Sequence, residues 1–129
     1  MSFTIIKTKE YVDFIVGRNG EFDILSASVV HKTKKALNDN NCSLTLCLPY
    51  KTAEYSKNSE YFYEFYDEIE ICEKAAQSHY KSAIQIRNRS IVDRSDLIIC
   101  CIERNNGGAY KTVQYAKNLR KEIINISEL

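Results

Sequence analysis

Three stretches of the 129-residue chain combine residue types that can hold an anion. The first is Val16-Gly17-Arg18-Asn19-Gly20-Glu21-Phe22-Asp23, where two glycines three apart follow an apolar run and precede a helical pattern. Glycine permits positive φ and close backbone approach, and a helix N-terminus presents N–H groups suited to phosphate. Asp23 can cap that helix or accept from a ribose hydroxyl. The second is Cys101-Ile102-Glu103-Arg104-Asn105-Asn106-Gly107-Gly108-Ala109-Tyr110-Lys111-Thr112, where the most apolar run of the chain meets a glycine pair and a helix start. Gly107, Gly108, Ala109 and Tyr110 follow the same anion-cradle logic behind a polar loop. Either glycine pair can equally be a plain turn. The third is Ile86–Asp96, with Arg87, Ser90 and Arg94 near one helix face. Arg87, with Asn88 beside it, is the candidate to meet a phosphate bidentately; its alternative is a solvated or surface-paired arginine. A fourth feature is aromatic: Tyr50, Tyr55, Tyr61, Phe62, Tyr63, Phe65 and Tyr66. Most of these read as core or oligomer interface, and Tyr50 is the candidate for stacking on a ligand ring.

Alternating elements must position these residues. Tyr11–Val16 reads as a strand and Phe22–Leu37 as a helix with an apolar stripe of Leu25, Val29, Val30, Ala36 and Leu37, stopped at Asn38-Asp39-Asn40-Asn41. Leu44–Leu48 is a short buried strand ended by Pro49, and Lys81–Arg94 a second helix. Leu97–Ile102 is a strand, Ala109–Leu119 a third helix and Glu122–Ile126 a last strand. Apolar strands separated by helices predict an α/β fold: one Rossmann-like domain over 1–129, with a mostly parallel sheet of about four or five strands covered on both faces. Such sheets bind ligands at the carboxyl ends of their strands, where the glycine turns fall.

Composition narrows the class. Eighteen Lys and Arg against seventeen Asp and Glu leave +1, so no strong field draws the chain to nucleic acid or an acidic membrane. No apolar run approaches the ~18 residues of a membrane span, and the patch at Met1–Lys7 is too short for a secretory signal. Five cysteines without a C-x-x-C, with Cys47, Cys100 and Cys101 inside apolar runs, read as reduced core residues of a cytoplasmic protein. His31 and His79 lack neighbours at metal-ligand spacing, so no metal or other cofactor is expected.

The segments 14–23 (FIVGRNGEFD), 48–50 (LPY), 87–96 (RNRSIVDRSD) and 107–117 (GGAYKTVQYAK) occur in order and together resemble the SLOG superfamily. That Rossmann-like group includes the LOG phosphoribohydrolases and the DprA domain; the likeness is greatest to its small bacterial and phage branch and runs from about Tyr11 to Ile126. The resemblance implies a nucleotide-type site at Gly17, Arg18, Asn19, Gly20, Asp23, Tyr50, Arg87, Asn88, Gly107, Gly108, Ala109 and Tyr110. Two departures matter. Members of this branch usually begin with a further strand and a Gly-His-Arg turn, but only ten residues precede Tyr11 here. A parallel strand with its return crossover needs at least about a dozen. The sheet is therefore expected to lack one strand, or to have its edge covered by another chain or segment, which favours a homodimer or higher homo-oligomer. The LOG enzymes also carry Arg-Lys before their Ser-Asp and a Glu after their glycines; here the Lys position is Asn88 and the Glu position is Gln114. Gln114 cannot act as a base. The expectation is non-catalytic binding of a nucleotide-derived signal (NAD- or ADP-ribose-derived, or cyclic), as a sensor or a sequestering protein of the kind used in phage-defence conflict. The alternatives are a phosphoribohydrolase-like N-glycosidase and a protein-interaction module.

Overall fold

The computed structural model describes residues 2–8 by their backbone, and residues 11–37 and 40–129 in full. Strand β1 (Ser2–Thr8) turns back into β2 (Tyr11–Val16), followed by α1 (Glu21–Leu37) and β3 (Cys42–Leu48). Two short helices, α2 (Ala53–Lys57) and α3 (Ser59–Phe65), lead to β4 (Glu68–Ile71). A turn of helix, α4 (Glu73–Ala76), precedes α5 (Tyr80–Asp93) and β5 (Leu97–Cys100). The chain closes with α6 (Gly108–Asn118), β6 (Glu122–Asn125) and a 3-10 turn at Ile126–Glu128. The architecture is α/β and Rossmann-like.

The six strands form one sheet in the order β4-β3-β2-β1-β5-β6. β2, β3 and β4 are mutually parallel, as are β5 and β6, whereas β1 is antiparallel to both neighbours. This corrects the expectation of a sheet one strand short. The ten residues before Tyr11 in this sequence are too few for a parallel strand and its crossover, but an antiparallel strand needs no crossover, and Thr8 pairs directly with Tyr11. β1 thereby joins the two parallel groups. Ser2 lies opposite Cys100, so β1 begins at the edge where β2 and β5 end. Those two ends sit two strand spacings apart, about 10 Å.

Residue parity sorts the two faces. Val16, Leu44, Leu46 and Leu48 pack with Ala27 of α1, Phe62 of α3 and Tyr66. Ile15 and Cys47 point the other way, onto Ile91 of α5, and Ile98 meets Val92 of α5 and Ala116 of α6. The helices that follow β2 and β5 thus lie on opposite faces, which makes their shared edge a topological switch point. β3 is buried along its whole length, as the run CSLTLCL implies. Full burial of each of its leucines contributes about 1.5–3 kcal/mol.

Three further expectations are corrected. The inward face of α1 is Asp23, Ser26 and Ala27, while Leu25, Val29 and Leu37 are exposed. Small residues let the helix approach the sheet, and only Val30 of the predicted stripe packs against the core. Asn38 and Asp39 of the predicted helix stop lie outside the described residues. Cys101 is exposed, unlike Cys47 and Cys100, because β5 ends one residue earlier. Ile102 does not extend the ladder: its N–H donates to Asn125 Oδ1 at 3.0 Å and its carbonyl accepts from Asn125 Nδ2 at 3.0 Å.

Candidate anion site at the strand carboxyl edge

The end of β2 is filled by the protein itself. A Cβ on Gly17 would lie 3.0 Å from both Cζ and Nη1 of Arg87, so the missing side chain makes room for that guanidinium. Arg87 is fully buried. Its Nε donates to Asn88 Oδ1 at 2.9 Å, its Nη1 to the Cys47 carbonyl at 2.9 Å, and its Nη2 to Asn19 Oδ1. One side chain of α5 therefore ties the end of β3 to the loop after β2. Burial lowers the Arg87 pKa from its ordinary range, and the charge of Asp23 opposes that shift.

Asp23 sits in the first turn of α1, fully buried. Its Oδ2 accepts from the Asn19 N–H at 3.2 Å, so the helix N-terminus already has a carboxylate beside its loop. Its Oδ1 is the only buried side-chain oxygen or nitrogen without a partner among the described residues. Burial raises the Asp23 pKa, with the Asn19 hydrogen bond and the Arg87 charge opposing. Arg18 leaves the same loop in the other direction. Its Nε and Nη2 donate to the two carboxylate oxygens of Glu54 at 2.9 and 3.3 Å, and its Nη1 donates to the Tyr66 hydroxyl at 3.0 Å.

The end of β5 is built differently. Gly107, with φ 94° and ψ 176°, adopts a conformation that side chains rarely tolerate. It is the N-cap of α6, and no side chain caps that helix. Lys111 N–H makes the first return bond, to the Gly107 carbonyl at 3.1 Å. The N–H groups of Gly108, Ala109 and Tyr110 precede it, in the turn that has no intrahelical acceptor. The Gly108 carbonyl accepts from Gln85 Nε2 at 3.2 Å and from Thr112 Oγ1 at 2.9 Å, and Thr112 Oγ1 in turn accepts from Asn88 Nδ2 at 3.1 Å. The neighbours Arg87 and Asn88 thus reach the two strand ends separately, and α5 fixes one against the other.

Space for a ligand lies on both sides of this second loop. A cavity of about 360 Å³ is lined by Cys101, Glu103, Arg104, Asn106, Ala109 and Tyr110. Another of about 360 Å³, across Ile102 and Tyr110, is lined by Glu103, Gln114, Lys117, Asn125 and Glu128.

The candidate residues therefore fall into separate groups. Gly17, Asn19, Asp23 and Arg87 form a closed cluster, and Gly20 accepts the first return bond of α1 from Ile24. Arg18 turns toward Glu54, and Tyr50 is exposed just past β3. Ala109 and Tyr110 line the hollow beside the second loop and Gly107 and Gly108 are exposed next to it, with Asn88 buried behind them. Among the other aromatics, Phe62 and Tyr66 close the core and Tyr55 and Phe65 pack on it, as expected. The sequence reading missed Glu54, Gln85, Thr112 and Asn125. Thr112 was findable, since a Thr four residues after Gly108 can return a bond to its carbonyl. The others act across 23 or more residues and leave no local signal.

Among the described residues no helix is long and apolar enough to cross a membrane. No three His, Cys, Asp or Glu side chains of the described residues converge as metal ligands. No family model, curated protein or solved structure matches the chain.

Proposed function

We propose that the strand carboxyl edge binds a small nucleotide-derived ligand without turning it over, as a sensor or sequestering protein. One observation carries this: the uncapped N-terminus of α6 opens on a shallow surface hollow of about 360 Å³ lined by Ala109, Tyr110 and Arg104. Phosphate would sit on the N–H groups of that turn, with the Tyr110 ring beside it. Arg87 would act from beneath the sheet edge by its charge rather than by contact, and the unpartnered Asp23 Oδ1 is an acceptor for a ribose hydroxyl once the Asn19 loop shifts. Gln114, on the neighbouring cavity, offers no base for cleavage. The ordered likeness to SLOG motifs supports the same ligand class. Calorimetric titration with ADP-ribose, NAD and cyclic nucleotides is expected to show binding to one of them that Tyr110→Ala weakens. No binding at millimolar ligand overturns the reading. Native mass spectrometry of the protein from cells would reveal a retained nucleotide, and would count subunits in the homo-oligomer we propose to cover the exposed Leu25 and Val29 of α1.

A second reading has its own observation. Glu103 and Glu128 line the same cavity as Gln114, so carboxylates are present where an N-glycosidase needs one. Release of free base from nucleoside monophosphates, lost in Glu103→Gln or Glu128→Gln, would establish it.

A further inference from the structure

We infer that Arg18 is an anion receptor at the first strand end, and that Glu54 is its resident substitute, displaced when a phosphate-bearing ligand binds. This rests on the binding function proposed above and adds a second contact point and a moving part to it.

The two partners are held very differently. The Arg18 side chain is 16% exposed, its guanidinium donates to the Tyr66 hydroxyl, and its Cζ stands 4.9 Å from the centroid of the Phe62 ring. Phe62 and Tyr66 are both buried in the core, so the receptor keeps its place whether or not Glu54 is present. Glu54 is 52% exposed and belongs to α2, a five-residue helix with no buried residue. It presents both oxygens to Nε and Nη2, the same edge and the same two-point geometry with which an arginine takes a phosphate. An exposed pair of this kind is weak, equal to no more than about a fivefold factor in affinity. The pyrophosphate of ADP-ribose carries one negative charge on each phosphate, two against the single charge of a carboxylate, and competes on those terms. Because α2 follows directly from the end of β3, releasing Glu54 loosens the segment from Lys51 to Asn58 beside Tyr50, which Tyr55 keeps anchored to the core. Segments with little buried surface open at low cost.

The test titrates ADP-ribose into the wild type, Glu54→Gln and Arg18→Gln, with amide hydrogen exchange followed over residues 51–58. Removing the competing charge is expected to tighten binding by about twofold to fivefold in Glu54→Gln. Arg18→Gln should bind more weakly than the wild type, and ligand should speed exchange in 51–58 of the wild type. Equal affinity of the wild type and Glu54→Gln overturns the inference and leaves the binding function standing. A gain in Glu54→Gln that persists when Arg18→Gln is added also overturns it. No binding of ADP-ribose by any variant overturns the inference, and overturns the binding function too when NAD and cyclic nucleotides also fail; thermal melts of each variant identify loss of fold as a separate cause.

Discussion

At the end of β2, the space a ligand would take is occupied by protein: the Arg87 guanidinium lies under Gly17 and the Asp23 carboxylate lies beside the helix N-terminus. At the end of β5, the corresponding space is open, and α6 begins without a side-chain cap. Both ends follow a parallel strand with glycine and a helix. They differ because one carries buried charge and the other does not. A buried guanidinium must find acceptors inside the protein, and Arg87 recruits Asn19, Asn88 and the Cys47 carbonyl to supply them. That demand fills the cradle at Gly17 and leaves Arg18, paired with Glu54, outside it. The second end is stabilised by neutral groups, Gln85 and Thr112 on the Gly108 carbonyl, and its backbone can stay turned to solvent. A glycine at a strand end therefore marks close approach, but not what approaches.

Substitutions should separate the two ends. The largest effect is expected from Arg87→Ala. It removes a fully buried side chain and strands the Cys47 carbonyl and Asn19 Oδ1, so a loss of about 3–5 kcal/mol in urea unfolding is expected. A loss below 1 kcal/mol would show the first end to be open after all. The glycines come next, by different mechanisms. Gly17→Ala pushes a methyl against Arg87 and should cost about 1–3 kcal/mol, which Arg87→Ala in the same chain should relieve. Gly107→Ala has free space around it and pays only for its φ of 94°, also about 1–3 kcal/mol, with no coupling to position 87.

A smaller effect concerns pH. Burial raises the Asp23 pKa, so the unfolded chain ionises this group first as pH rises. Stability from this group is full below the ordinary carboxylate pKa near 4 and falls as pH rises through the native value. Asp23→Asn should accordingly melt higher than the wild type at pH 7, with the advantage vanishing below about pH 4. A variant that is less stable at pH 7 would show that the charge of Asp23 matters more to Arg87 than its burial costs.

The smallest perturbation is a labelling experiment that leaves the fold intact. Cys101 lines the open cavity and is exposed, whereas the buried Cys47 thiol is pushed up to about 11 by burial. Alkylation followed by mass spectrometry should modify Cys101 within minutes and Cys47 only on unfolding, because the thiolate is the reacting form. Bound ligand at the second end should slow the labelling of Cys101.

Much of this was legible in the residues. Hydrophobic period and breakers located β2, β3, α5, β5, α6 and β6 to within a few residues, because full burial of a parallel strand demands a continuous apolar run. The segment from Ala53 to Ala76 was not assigned, since its helices are four to seven residues long and too short to show a period. The stripe on α1 misled because Leu25 and Val29 have the right spacing but the wrong side of the helix. The inward face, Asp23, Ser26, Ala27 and Val30, has the same spacing with smaller side chains, which let the helix approach the sheet.

The sequence by itself determined the α/β class and the strand ends that carry glycine; Arg87 was placed beside them only through the family resemblance. Local patterns suffice for the class and the strand ends, since burial and turn formation depend on residue type over short spans. Only the tertiary structure decided that Ser2–Thr8 supplies an antiparallel centre strand, that Arg87 faces inward, and that Glu54 meets Arg18 across 36 positions. These outcomes depend on which groups can satisfy a buried charge or an open sheet position, and the partners are brought together by the fold rather than by their spacing in the chain.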